Sequence, residues 1–181
     1  YYTGEKIKVT PLAFIAKALV SALKEFPNFN ASIDADSNKI TYKKYFHIGF
    51  AVDTPHGLMV PKIRNVDQMS IQKIGEELIN TSKLCRELKI DKKEFFGGSM
   101  TISSLGGIGG THFTPIINPP EVAILGVGKN FDRLVKEKDK IVSKKILPIS
   151  LSYDHRIIDG AEGARFCVYL GKCLGKDFAF K

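Results

Sequence analysis

One short segment carries most of the side chains that can move a proton. Residues 154–160 read DHRIIDG, so His155 is flanked by the carboxylates of Asp154 and Asp159 and by the guanidinium of Arg156. An imidazole changes its protonation near neutral pH and suits the removal of a proton from a thiol or hydroxyl. The alternative is a histidine that only satisfies a turn. The segment alone does not decide between these readings.

The remaining histidines are weaker candidates. His47 begins a predicted strand and favours a structural role, while His56 lies in a Pro-His-Gly turn and is expected to be exposed. His112 lies in a Gly-rich segment, where it either lines a site or faces solvent. No two histidines have the spacing of metal ligands, and neither a CxxC nor an HExxH motif occurs, so no metal site is predicted.

The Gly-rich segment follows two hydroxyls. Residues 103–110 read SSLGGIGG, without the Lys-Ser/Thr ending of a P-loop or the helix of a dinucleotide-binding unit. The glycines therefore indicate a sharp excursion of the backbone rather than a phosphate cradle. Ser103 and Ser104 end a predicted strand, where a hydroxyl can face a cleft.

The predicted elements position these side chains. Apolar spacing predicts helices over 11–26, 70–88 and from about 160, the first with Thr10 as its cap and the last with Ala161, Ala164, Cys167, Leu170 and Leu174 inward. A short helix is expected after Asp91. Strands are predicted over 39–46, 47–52, 58–63, 100–103, 121–126 and 146–152, with an ordered loop over 106–120. Because this order lacks regular βαβ alternation, the predicted fold is an α/β (α+β) two-layer sandwich with a mixed sheet. His155 then lies between the last strand and the last helix, where catalytic groups commonly sit.

Length and composition favour one domain. The chain has 181 residues, 44% of them hydrophobic, enough for one core. No apolar run reaches the roughly 18 residues needed to span a bilayer, and the first ten residues lack the features of a signal peptide. Because Tyr1 is not an initiator methionine, the chain is interpreted as a piece of a longer protein. Three cysteines without a CxxC pair indicate a reducing compartment, by default the cytoplasm.

The basic surplus does not predict a nucleic-acid face. Lys plus Arg exceed Asp plus Glu by 27 − 19 = 8, and the pI is about 9.3. The lysines are scattered, and their cluster over 136–145 is interleaved with acids. We therefore expect a solvated surface and neither a nucleic-acid nor a membrane partner.

Four blocks of the sequence resemble one family, in the family's order. DHRIIDG at 154–160 resembles the DHRxxDG motif of the dihydrolipoamide acyltransferases, part of which the more distant chloramphenicol acetyltransferases share. Residues 47–61 resemble the family's central hairpin, 101–106 its serine-bearing strand and 110–127 the following loop and strand. The loop over 111–127 is most similar to the pyruvate dehydrogenase members of Gram-negative bacteria. The resemblance covers nearly the whole chain and implies a chloramphenicol acetyltransferase-like fold.

The resemblance also implies a reaction and its residues. The reaction is the transfer of an acetyl group between coenzyme A and a lipoyl thiol, with the lipoyl group carried on a domain outside this chain. His155 matches the catalytic base, and Ser103, 155 − 103 = 52 residues upstream, matches the hydroxyl that stabilises the oxyanion. Asp159 matches the position that supports the site's geometry. Lys62 and Arg64 are candidate partners for the coenzyme's phosphates.

The family's assembly is implied as well. Residues 1–181 correspond to the acyltransferase catalytic domain without its N-terminal segment and without the upstream lipoyl and subunit-binding domains. Members form homotrimers with the site between subunits, so that the histidine and the serine come from different chains, and trimers join into a cubic core of 24 subunits. Further implied partners are the lipoyl domains and, through the upstream domain, pyruvate dehydrogenase and dihydrolipoamide dehydrogenase.

Two alternatives to an active transferase stay open at this point. One is a structural core whose site no longer turns over substrate. A serine hydrolase that uses Ser103 and His155 is a further alternative, although the GxSxG elbow of such enzymes does not occur.

Overall fold

A computed structural model describes residues 10–34 and 39–175 of the chain. The described residues contain three α-helices, α1 (Pro11–Glu25), α2 (Ile71–Arg86) and α3 (Gly160–Cys173). They also contain eleven strands: β1 (Ala31–Asp34), β2 (Lys39–Tyr42), β3 (Ile48–Phe50), β4 (Val52–Thr54), β5 (Gly57–Met59), β6 (Lys62–Ile63), β7 (Met100–Ser104), β8 (Ala123–Val127), β9 (Phe131–Glu137), β10 (Lys140–Ile146) and β11 (Ile149–Tyr153).

The central sheet is mixed, as predicted. Its five strands are ordered β11-β8-β7-β3-β6. The inner strands β8, β7 and β3 are parallel to one another, whereas β11 pairs antiparallel with β8 and β6 antiparallel with β3. Three separate two-stranded ribbons, β1-β2, β4-β5 and β9-β10, accompany it.

The helices cover one face of this sheet. Helix α1 contacts both α2 and α3. Its four alanines and Ile15, Leu19, Val20 and Leu23 are almost fully buried, whereas Phe14 is exposed. The sheet contributes alternate residues of its strands to the same core: Ile48, Phe50, Met100, Ile102, Ala123, Leu125 and Val127. The residues between them face the other side of the sheet.

Two of the helix starts behave differently. Ser70 caps α2 by accepting a hydrogen bond from the Lys73 backbone N–H at 3.1 Å. Thr10 occupies the corresponding position of α1, but its hydroxyl makes no capping hydrogen bond and is buried without a hydrogen-bond partner among residues 10–34 and 39–175. Thr10 is therefore at the expected N-cap position, but the expected hydrogen bond from its side chain is not formed. Pro11 in the first turn is the residue that favours a helix start here.

The inward face of α3 agrees with the predicted one at Leu170 and Leu174 but not at Ala161 and Ala164. The buried residues are Gly163, Phe166, Leu170 and Cys173, whereas Ala161 and Ala164 are exposed. Phe166 decides the orientation, because its ring stacks on Phe29 with the centroids 4.0 Å apart. An aromatic side chain buries far more apolar area than an alanine does.

The charged stretch that was predicted to be solvated surface forms the β9-β10 hairpin. Its strands pair from Phe131 with Ile146 to Glu137 with Lys140, and Lys138 in the turn has a left-handed φ of 53°. Most of its side chains are exposed on both faces. Because neither face packs on the core, the alternation that signals a strand is weak here.

His47 connects the start of β3 to the loop after β6. Its Nδ1 accepts a hydrogen bond from the Asn65 N–H at 3.1 Å, and its ring stacks on Tyr45 with centroids 4.3 Å apart. Partial burial and, second, the nearby Arg64 guanidinium lower the pKa of His47 below its usual 6.5. This supports the structural role expected for His47.

We expect acidification from about pH 7.5 to about pH 5 to lower the free energy of unfolding in part through His47. The unfolded chain takes up a proton on this histidine at a higher pH than the folded chain, so stability is complete above 6.5 and is lost as the pH falls toward the lowered folded pKa. His47→Gln should weaken this pH dependence, measured by urea unfolding at both pH values. His56→Gln, at an exposed histidine in a turn, is the control, and an unchanged dependence in His47→Gln would contradict the explanation.

Candidate active site

Ser103 lies near the end of β7, on the face of the sheet opposite the helices. It alternates with Ile102, which is buried in the helical core. In the register of the sheet Ser103 is level with Gly126 of β8, which in turn is level with Ser150 of β11. Ser103 is half-buried. A hydroxyl is therefore held on a rigid strand beside a residue that has no side chain.

The loop between β7 and β8 covers this part of the sheet. A Cβ atom at Gly126 would lie 3.0 Å from the Phe113 ring and 3.3 Å from Pro115, so both side chains pack directly on the glycine. The Lys129 N–H donates to the Gly110 carbonyl at 2.8 Å and fixes the loop against the start of the β9-β10 hairpin. The ordered loop predicted over 106–120 thus forms a wall beside Ser103.

His155 lies in a turn between β11 and α3, as predicted. The Asp154 carbonyl accepts hydrogen bonds from the N–H groups of Ile157 and Ile158, both at 3.1 Å, and the Ile158 side chain is fully buried. The imidazole itself is exposed, and its centroid is 5.8 Å from that of the Tyr153 ring. The backbone of the turn is therefore anchored while the imidazole remains accessible.

Asp154 and Arg156 form an ion pair next to His155. The Arg156 side chain donates to both carboxylate oxygens of Asp154, at 2.6 to 3.2 Å. This guanidinium holds the pKa of Asp154 below its usual range. Asp154 is therefore ionised at neutral pH, and both of its carboxylate oxygens are bound by Arg156.

Asp159 caps helix α3. Its Oδ1 accepts a hydrogen bond from the Glu162 N–H at 2.7 Å. The Glu162 carboxylate in turn accepts two hydrogen bonds from Asn28 Nδ2, at 3.1 and 3.0 Å. Asp159 thus ties the histidine turn to α3, and a contribution to catalysis stays a prediction.

The chain does not bring His155 and Ser103 together. Two strand spacings separate β11 from β7, about 10 Å across the sheet. Ser103 is level with Ser150, whereas His155 follows Tyr153, another three residues or about 10 Å along β11. Within one chain the two side chains are therefore far beyond hydrogen-bonding distance.

A large open cavity lies on the helical side of the sheet. It measures about 950 Å³ and is lined by Leu78 and Ile79 of α2, Val52 of β4, and Ile102 and Ser104 of β7. Ser104 and Ser103 therefore face different sides. His112, the second loop candidate, is exposed and borders a smaller cavity of about 370 Å³ with Ser150 and Ser152.

Of the two candidate phosphate partners, the structure contradicts Lys62, whereas Arg64 stays a prediction. Lys62 is buried, and its Nζ lies 2.6 Å from Glu121 Oε1. Arg64 is paired with Glu94 at 2.8 Å. The buried pair was missed, although the signal was present: Lys62 and Glu121 are charged residues within otherwise apolar runs.

Neither a metal centre nor a membrane span is found in the described part of the chain. Over residues 10–34 and 39–175 no group of three or more His, Cys, Asp or Glu side chains could hold a metal ion. Within the same residues no helix is long and apolar enough to cross a membrane.

Comparison with known proteins decides the family. The pattern of the 2-oxoacid dehydrogenases acyltransferase (catalytic domain) family matches residues 2–178. The chain belongs to this family. It is 54% identical over 168 residues to the dihydrolipoyllysine-residue acetyltransferase component of pyruvate dehydrogenase complex of Cupriavidus necator, a match that covers 93% of this chain and 30% of the relative. The chain thus spans about a third of that relative's length.

Solved structures of acyltransferase domains have the same fold. The cubic core of a pyruvate dehydrogenase multienzyme complex superimposes with a TM-score of 0.90 at 48% identity, covering 94% of this chain and 70% of the other. The Azotobacter vinelandii dihydrolipoamide acetyltransferase, studied for the roles of a serine, a histidine and an asparagine in its catalytic mechanism, matches equally well, with 49% identity and the same coverage. A chloramphenicol acetyltransferase, 16% identical over 91% of this chain and 77% of its own, has a TM-score of 0.57. These likenesses confirm the family resemblance and the predicted fold.

Removing the α3 cap should destabilise the domain. We expect Asp159→Ala to lower the free energy of unfolding by about 1 kcal/mol and Asp159→Asn to leave it nearly unchanged, because Asn and Asp cap helices about equally well. Urea unfolding measures both, with Ser70→Ala, which removes the cap of α2, as the matched comparison. An Asp159→Ala variant as stable as the parent would show that this cap contributes nothing.

Proposed function

We propose that this acyltransferase domain moves an acetyl group between coenzyme A and the thiol of a dihydrolipoyl group. The observation that carries the proposal is the presence of an accessible His155 and a strand-held Ser103 in a chain about half identical to acetyltransferases of pyruvate dehydrogenase complexes. Because the chain spans only part of those proteins, the activity of the whole is an inference from its catalytic domain.

The spacing of the site residues supports their proposed roles. In the Azotobacter enzyme the serine precedes the histidine by 52 residues and the asparagine follows it by four. Ser103, His155 and Asp159 have the same spacing, 155 − 103 = 52 and 159 − 155 = 4. An aspartate here replaces the asparagine. The substitution keeps an oxygen that accepts the α3 capping hydrogen bond.

His155 acts as the general base in this proposal. An ordinary thiol has a pKa of about 8.5 and an ordinary imidazole about 6.5, so full proton transfer costs about 2.7 kcal/mol, which is tolerable when transfer accompanies attack. The sulfur of one thiol attacks the thioester carbonyl as its proton passes to His155. When the tetrahedral intermediate collapses, the carbon–sulfur bond of the other thiol breaks, and the imidazolium returns the proton to the departing sulfur.

Ser103 stabilises the intermediate rather than attacking the substrate. Attack places negative charge on the former carbonyl oxygen, and the Ser103 hydroxyl donates a hydrogen bond to it. Because one thiol attacks the thioester directly, no acyl-enzyme is needed. The GxSxG elbow that presents the nucleophile of serine hydrolases also does not occur in the sequence.

The proposed site lies between subunits. Since His155 and Ser103 of one chain are far apart, a second copy must supply one of them, as in a closed homotrimer. The likeness to a cubic core supports further assembly of such trimers, with 24 subunits as the expectation. Lipoyl domains, pyruvate dehydrogenase and dihydrolipoamide dehydrogenase are the proposed further partners. The lipoyl group would be carried outside this chain, and coenzyme A is a substrate.

The proposed compartment is the cytoplasm. Cys85, Cys167 and Cys173 are all free thiols, which suits a reducing environment. This localisation stays a prediction.

Single replacements of His155 and Ser103 should strongly slow acetyl transfer from acetyl-CoA to dihydrolipoamide. We expect His155→Ala to reduce kcat by at least about 100-fold and Ser103→Ala by about 100- to 1000-fold, without loss of assembly. His56→Ala, at an exposed turn, is the control. A folded, assembled parent without turnover would instead favour a structural core, and labelling of Ser103 by a fluorophosphonate would favour a hydrolase.

Mixed oligomers test whether the site is shared. After co-refolding of equal amounts of His155→Ala and Ser103→Ala chains, about a quarter of the sites should combine an intact histidine with an intact serine from a neighbour, since each is present with probability one half. Activity should therefore return to about a quarter of the parent level. Chains that each carry both replacements are the control. No recovery in fully mixed trimers would contradict a shared site.

A further inference from the structure

A buried charged cluster lies on the same face of the sheet as Ser103. Lys62 Nζ is 2.6 Å from Glu121 Oε1, and both side chains are 1% exposed. Thr101 Oγ1 donates to Glu121 Oε2 at 2.6 Å and accepts from Lys62 Nζ at 3.3 Å. The acetyl-transfer steps described above do not use these three residues.

The backbone leaves room for the cluster at two glycines. Gly49 of β3 is level with Lys62 of β6 on one side and with Thr101 of β7 on the other. A Cβ atom at Gly49 would lie 2.7 Å from Lys62 Nζ, and one at Gly98 would overlap Glu121 Oε1. The sheet is thus shaped around the ion pair. An unpaired charge in this space would be strongly unfavourable.

The cluster is linked to Ser103 in two ways. Thr101 and Ser103 are two residues apart on one strand face, about 7 Å. Glu121 ends the loop whose Phe113 and Pro115 pack on Gly126, the residue level with Ser103. The carboxylate therefore anchors one end of the wall beside the Ser103 hydroxyl.

The groups that face Glu121 come from four segments. Besides Lys62 and Thr101, Asn118 Nδ2 donates to Oε1 at 3.4 Å. Lys43 lies nearby and donates to the carbonyls of Gly98 and Ala31, at 2.7 and 3.2 Å. Burial lowers the pKa of Lys43, and the charge of Glu121 opposes this. Lys62 is the cation in direct contact with the carboxylate.

The charge of Glu121 matters because of where it lies. In the proposed reaction a substrate oxygen becomes negative beside Ser103. The Glu121 carboxylate is bonded to Thr101, which lies two residues from Ser103 on the same strand, and an unbalanced negative charge there would disfavour the charge on the substrate oxygen. The ammonium of Lys62 cancels the charge of the carboxylate. The same contact holds the carboxylate in place as an anchor.

Resting on the proposed acetyl transfer, we propose that Lys62, Glu121 and Thr101 are positioning residues, which fix the β7-β8 loop beside Ser103 and neutralise the carboxylate beneath the forming oxyanion. None of the three needs to touch substrate. Their effect is on kcat, since the interaction differs between ground state and transition state.

The test measures acetyl transfer by the full-length, assembled protein. We expect Lys62→Met to lower kcat by about 10- to 100-fold at neutral pH, with both KM values within about threefold of the parent. Lys62→Met/Glu121→Gln should recover most of kcat, because it also removes the carboxylate charge that Lys62 balances. Lys73→Met, which removes an exposed ion pair of α2, is the matched control.

A second pair of variants tests the anchor without any buried charge. Lys62→Met/Glu121→Gln keeps a side chain that can bond to Thr101, whereas Lys62→Met/Glu121→Ala does not. We expect the alanine variant to have a kcat about 10-fold lower than the glutamine variant. This comparison tests the anchor even if the Lys62→Met single variant does not fold, because neither double variant leaves the Glu121 carboxylate unpaired.

Two results would overturn the proposal. One is a folded Lys62→Met with the kcat of the parent, and the other is equal kcat in the two double variants. Either leaves the acetyl-transfer proposal intact. A different result, an assembled parent protein without turnover, would contradict the acetyl-transfer proposal.

Discussion

Strand direction determines where the reactive residues of this chain can lie. The parallel strands β7 and β8 end at one edge of the sheet, and β11 runs against them and ends at the opposite edge. Ser103 belongs to the first edge and the turn that carries His155 to the second. No rotation of a side chain bridges that separation. A site that needs both residues must therefore be completed by another copy of the chain, so the proposed reaction requires oligomerisation.

The two faces of the sheet perform different tasks. One face contributes alternate apolar residues to the helical core, and adjacent positions on the same strands, such as Ile102 and Ser103 of β7, point in opposite directions. On the other face, Thr101, Ser103 and Gly126 are small or polar. Glycines on that face admit the Phe113 ring at one place and the Lys62–Glu121 pair at another. Rigid packing on one side thus supports precise placement on the other.

The sequence predicts the elements whose pattern reports burial on one face. The helices near residues 11–25 and 71–86, the strand that carries Ser103 and the turn that carries His155 agree with the structure. Where two apolar faces compete, as in α3, spacing alone does not choose, and the packing of Phe166 on Phe29 decides. The β9-β10 hairpin was missed because it is exposed on both faces.

The site was predictable only in part. Local sequence indicates that His155 can serve as a base, whereas the roles of Ser103 and Asp159 came from the family resemblance and stay predictions. The pairing of Lys62 with Glu121 joins residues 59 positions apart, and only the three-dimensional sheet brings them together. The sequence offered Lys62 only as a candidate partner for the coenzyme's phosphates, whereas the structure shows it buried and paired, as buried lysines usually are.

The buried pair also has a thermal consequence. The hydration of ions becomes less favourable as the temperature rises, so the free-energy cost of keeping Lys62 and Glu121 away from water becomes smaller on heating. Apolar packing gains little over the same interval. The ion pair that holds the loop beside Ser103 therefore contributes relatively more to stability as the temperature rises. The apolar packing on the helical side of the sheet does not.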